Sequence, residues 1–120
     1  MLHHVGIEVV PEDVEAAVGF FELLGFERVE PPPTLSRYTW LEREGTQVHL
    51  MPEAEPTVPS PGHLAVVVPD YEATLERLRE RGYELEEKGN HWGSPRAIAL
   101  APGGHRVELM EFPPPPGGSS

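Results

Sequence analysis

Two stretches of this chain can be laid over one another: residues 3–30, "HHVGIEVVPEDVEAAVGFFELLGFERVE", and residues 62–87, "GHLAVVVPDYEATLERLRERGYELEE". Each runs from an apolar strand through a proline to an acidic helix start, a helix, a glycine and a short second strand. An internal repeat determines architecture before any single element does, so the chain reads as two copies of one supersecondary unit. In the first copy Val5, Ile7 and Val9 alternate with His4, Gly6 and Glu8, the period of a strand with one packed face. The helix that follows carries Val14, Ala17, Val18, Phe21 and Leu24 as a single apolar stripe and ends at Gly25. Glu12 and Asp13 at its start suit the helix dipole. In the second copy Leu64, Val66 and Val68 take the packed face, and Asp70 is the expected N-cap. Tyr71, Leu75 and Leu78 make the stripe there, and Gly82 ends the helix.

Each copy continues to a closing strand, within "YTWLEREGTQVHLMP" (38–52) and "PRAIALAPGGHRVELME" (95–111), with "REGT" and "PGGH" as the hairpin turns. The order is βαβββ twice. The expected fold is therefore α+β, two modules forming a cup-shaped sheet with the helices on its outer face. Residues 1–112 are expected to be one domain: module one over 1–52, a proline-rich connector over 53–61, and module two over 62–112. Residues 113–120 read as a disordered tail.

Composition narrows the function. Twenty acidic residues against nine basic ones give a formal charge of −11, which repels nucleic acid and anionic membrane surfaces. With no cysteine there is no disulfide framework, thiolate nucleophile or thiolate metal site, so any metal must be held by His, Asp or Glu. No apolar run approaches the roughly 18 residues of a membrane span, and "MLHHVGIEVV" does not read as a leader. A soluble cytoplasmic protein is expected, with a small molecule as its partner rather than nucleic acid or membrane.

Four residues occupy matching places in the repeat. His4 and His63 head the opening strands, His49 and Glu108 lie in the closing strands, and both separations are 59 residues. Alternation sets each opposite an apolar pair, such as Val48 and Leu50 around His49, so all four are expected to point away from the helices and converge in one concave surface. Three imidazoles and a carboxylate suit a borderline divalent metal such as Zn, Ni, Co, Mn or Fe. Trp40, Met51, Trp92 and Met110 are candidate apolar walls for a substrate, and Arg96 a candidate anchor for a carboxylate or oxyanion. The other histidines read as surface or structural: His3 is expected to point the opposite way from His4, His91 lies in a loop and His105 in a turn.

The chain resembles the vicinal oxygen chelate superfamily, the group of glyoxalases, bleomycin-resistance proteins and dioxygenases, over nearly all of residues 2–112. "LHHVGIEV" with "FFELLGFE" is similar to that family's opening strand and helix, "GHLAVVV" to its second opening strand, and "PGGHRVELME" to its closing turn and metal-glutamate strand. The resemblance implies that His4, His49, His63 and Glu108 are the metal ligands of a glyoxalase-like isomerase or lyase. There the metal binds vicinal oxygens of a small substrate as a Lewis acid and stabilises an enolate-type oxyanion. It also implies a homodimer, and a catalytic role for Glu108 in taking a proton adjacent to a carbonyl. Two positions depart from the pattern: glyoxalase I usually has glutamate where His49 stands, and Ala101 replaces the common aspartate of the closing turn. A dication with three neutral histidines and one carboxylate has a formal charge of 2 − 1 = +1, so it should be more electrophilic than one held by two glutamates. The alternatives are a drug- or metabolite-binding protein of the bleomycin-resistance type and an extradiol-type dioxygenase.

Overall fold

The repeat is realised as two four-stranded mixed sheets in a computed structural model that describes residues 1–117. Module one holds β1 (His4–Val9), α1 (Val14–Leu23), β2 (Glu27–Val29), β3 (Thr39–Arg43) and β4 (Thr46–Pro52). Module two holds β5 (Leu64–Val67), α2 (Tyr71–Glu80), β6 (Leu85–Lys88), β7 (Arg96–Leu100) and β8 (Arg106–Met110). The strand orders are β1-β4-β3-β2 and β5-β8-β7-β6. In both, the opening strand lies parallel to the closing strand and the other pairs are antiparallel. The α+β architecture of two βαβββ modules with open, curled sheets is therefore present. Among the described residues, no helix is long and apolar enough to cross a membrane.

The β3–β4 hairpin turns on Glu44 and Gly45, both with positive φ (50° and 83°), as the twist of a two-residue hairpin requires. At the matching turn of module two, Gly103 and Gly104 have φ of 99° and 93°. Helix α1 is entered through a 3-10 turn at Pro11–Asp13. Asp70 does stand at the start of α2, but in the left-handed conformation, and its side chain makes no capping bond.

The apolar faces meet in one cluster. Val9, Phe21, Leu41 and Leu50 from module one join Leu75, Leu78, Val107 and Leu109 from module two, all essentially inaccessible to solvent. Phe20, which lies beside the expected stripe, is also fully buried because Tyr83 packs edge-on against it at 5.2 Å. Arg43 ties the modules together by donating from Nη1 to the Val67 carbonyl at 2.7 Å and, more weakly, to that of Leu24 at 3.4 Å. Residues 113–117 are exposed and irregular, and the remainder of the expected disordered tail, 118–120, lies outside the described residues.

Candidate metal centre

Strand register places the candidate residues. Across β3 and β4, Trp40 is opposite His49 and Glu42 is opposite Gln47. Across β1 and β4, Gly6 is opposite His49 and His4 opposite Gln47, which makes His4 a diagonal neighbour of His49. The rings form a stack: Trp40 lies on His49 at 4.1 Å and 1°, and His49 on His4 at 4.0 Å and 15°.

His3 joins this group, edge-on to His4, with the two Nδ1 atoms 2.9 Å apart. It does not point the opposite way, as expected, because β1 begins only at His4 and strand alternation does not extend to residue 3. Burial pushes the His49 imidazole below its ordinary pKa, and the neighbouring His4 and His3 push it further in the same direction. A glycine at position 6 leaves room for Met51, since a Cβ there would stand 2.8 Å from the thioether sulfur. The result is a pocket of about 380 Å³ walled by His4, Tyr38, Trp40, His49 and Met51.

The second sheet holds a different arrangement. Glu108 is 7% exposed and both its oxygens are engaged. Oε1 is 3.1 Å from His63 Nε2, and Oε2 accepts from Arg96 Nη1 at 2.9 Å. Arg96 further donates from Nε and Nη2 to the Gly89 carbonyl, at 3.0 and 2.8 Å, and its guanidinium carbon sits 5.3 Å above the Trp92 ring. Arg96 is thus ion-paired with the carboxylate beside it. Trp92 donates to the Phe112 carbonyl, and Met110 is buried. His105 is structural, its Nε2 2.7 Å from the Glu8 carbonyl oxygen.

His63 bears on whether a cation belongs here. Its Nδ1 is 3.0 Å from the Pro61 carbonyl oxygen, which only accepts, so Nδ1 carries a hydrogen. The Nε2 of a neutral ring then aims a lone pair at the Glu108 carboxylate. Two electron-rich atoms facing one another require a proton or a metal ion between them. The donor chemistry therefore fits a divalent metal, but in halves: His4 with His49 on one sheet, His63 with Glu108 on the other. Among the described residues, no three His, Asp or Glu side chains form a group able to hold a metal ion.

The family model of the Glyoxalase/Bleomycin resistance protein/Dioxygenase superfamily matches residues 1–117. Among solved structures, the fold is similar to a candidate glyoxalase family protein from Bacillus anthracis, at 23% identity and TM-score 0.80 over 92% of this chain and 93% of that one. It is also similar to the oxidase ChaP-H2, at 22% identity and TM-score 0.75 over 98% of each chain. A third is the fosfomycin resistance protein FosX from Listeria monocytogenes, at 18% identity and TM-score 0.77 over 94% of this chain and 91% of that one. At these identities the likeness is one of fold. No curated protein matches the chain.

Proposed function

The chain belongs to the glyoxalase/bleomycin resistance protein/dioxygenase superfamily, and from that premise we propose that it is a glyoxalase-like metalloenzyme, an isomerase or lyase of a small oxygenated molecule. His4, His49, His63 and Glu108 would hold one divalent metal, which when bound supplies a Lewis acid for vicinal oxygens of the substrate and for the oxyanion they form. The observation that carries this reading is the His63–Glu108 pair, in which a neutral His63 would aim its Nε2 lone pair at a carboxylate, a place for a proton or a metal ion.

Because each sheet offers only two of the four donors, the complete site is proposed to form across a homodimer. The first sheet of one subunit would then face the second sheet of its partner. Trp40 and Met51 wall the substrate on one side, and Trp92 and Met110 on the other. Arg96 keeps Glu108 turned toward His63. To act as a base toward a carbon acid, Glu108 must first leave both partners, so its primary role is that of a ligand.

Metal analysis of tag-free protein reconstituted with Zn, Ni, Co, Mn or Fe tests the proposal, with one ion per chain expected. Protein that takes up no stoichiometric metal would refute it. A second reading, a metal-free binding protein of the bleomycin-resistance type, would then lead. It is favoured by one observation: both Glu108 oxygens already have side-chain partners, His63 and Arg96.

A further inference from the structure

His49 has two ring nitrogens, and the surrounding polar groups decide which one is free. Glu42 and Gln47 form a cross-strand pair on the open face of the first sheet, two rungs from Trp40 and His49. A carboxylate only accepts, so the Gln47 side-chain nitrogen must face Glu42, and Gln47 Nε2 donates to Glu42 Oε1 at 2.8 Å. This orients the whole amide and leaves Gln47 Oε1 at its other end, 2.7 Å from His49 Nε2. A carbonyl oxygen also only accepts, so Nε2 must carry the hydrogen.

We infer that Gln47, oriented by Glu42, is a positioning residue that selects the Nε2–H tautomer of His49 and leaves Nδ1 as the nitrogen free to bind a ligand. The aromatic stack cannot make that selection. Trp40 and His4 fix the plane of the ring between them, yet a half-turn about the Cβ–Cγ bond keeps that plane and both stacking contacts. Such a turn would set a carbon against Gln47 Oε1 and leave a buried carbonyl oxygen without a donor; Gln47 and His49 are each 8% exposed. Glu42 also pulls on the His49 N–H through the amide, which makes Nδ1 the stronger donor. His63 is set the opposite way by the Pro61 carbonyl, with Nδ1 carrying the hydrogen and Nε2 turned toward Glu108. The two modules therefore present different nitrogens.

The tautomer is a property of the metal-free protein; its consequence for metal binding rests on the function proposed above. The test is a two-bond ¹H–¹⁵N correlation spectrum of histidine-labelled apoprotein at pH 8, which distinguishes the tautomers directly. The parent should favour Nε2–H at His49 by about tenfold, the worth of one buried hydrogen bond. Gln47→Leu should bring the two forms within about threefold of each other, since the discriminating hydrogen bond is gone. Glu42→Leu, which frees the amide to turn over, should weaken the preference without removing Gln47, and it carries the test if Gln47→Leu does not fold.

An Nδ1–H parent, or a tautomer ratio unmoved in both Gln47→Leu and Glu42→Leu, would overturn the inference. Co(II) affinity should fall about 10- to 100-fold in Gln47→Leu. Unchanged affinity alongside a released tautomer would count against His49 as a ligand, and so against the proposed function, while the tautomer assignment stood.

Discussion

If the metal site forms between the first sheet of one subunit and the second sheet of the other, two variants that each lack a site should rebuild one when mixed. One variant carries His4→Ala and His49→Ala, which empties module one of donors. The other carries His63→Ala and Glu108→Gln, which disarms module two and keeps the buried shape. Each homodimer then has only half a ligand set at both sites. In a two-fold dimer of unlike chains, one site pairs the two disabled modules and the other pairs the two intact ones. A heterodimer isolated through two different tags should therefore hold about one metal ion, half the parental content. Random reassociation makes about half of all dimers heterodimers, so the unfractionated mixture should recover about a quarter of the parental sites. The assay is metal content by elemental analysis after co-refolding in Co(II), with the cobalt absorption band as an independent count. A site built within one chain behaves differently, because every chain in the mixture is defective. Purified heterodimer with no more metal than either homodimer would refute assembly across the dimer.

Two further outcomes follow from the side-chain contacts. Arg96→Ala leaves the Glu108 carboxylate buried with only His63 beside it, and should cost about 3 kcal/mol in urea unfolding; Arg96→Lys should recover little, since it lacks the fork that reaches both Glu108 and Gly89. His49, held below its ordinary pKa, is neutral in the folded apoprotein under conditions where the unfolded chain takes up a proton. Its contribution to stability is thus complete above about pH 6.5 and declines as the pH falls from there toward its folded-state pKa. His49→Gln should flatten that part of the stability curve in denaturant titrations between pH 7 and 5, and an unaltered slope would show that His49 does not cause it.

Much of the fold could be read in the chain because two periods coincide. Alternation put Val5, Ile7 and Val9 on the helix side, where Ile7 and Val9 are buried, and the 59-residue offset paired His49 with Glu108 in equivalent strands. Alternation fails at His3, since it presumes a strand that starts one residue earlier than β1 does. Phe20 was missed because its burial comes from Tyr83 of the other module, a contact outside any local pattern. Arg96 was read as a candidate anchor for a carboxylate or oxyanion, without a named partner in the chain. Its capture by Glu108 follows from the β7–β8 register, in which Ile98 lies opposite Glu108 and Arg96 becomes a diagonal neighbour. That register was accessible from the "PGGH" turn, but only by counting pairs outward from it. The link from Glu42 through Gln47 to His49 was open to the same counting from "REGT".

The parallel pairing of β1 with β4 and of β5 with β8 has a consequence for the order in which the donors come together. Trp40, Glu42, Gln47 and His49 all sit on one tight hairpin, and Arg96 and Glu108 on another, so each group gathers by closing a short loop. His4 and His63 arrive only when the opening strands dock, which joins residue 4 to residue 47 and places residue 63 beside residue 108. Those long closures are entropically slow, and they put the last imidazole of each pair on, or immediately before, a strand at the edge of its sheet, where a protein opens most readily. An ion that bridges hairpin and edge strand would act as a late-fastening clasp. Amide hydrogen exchange in β1 and β5 should therefore slow on metal loading far more than exchange in the hairpins.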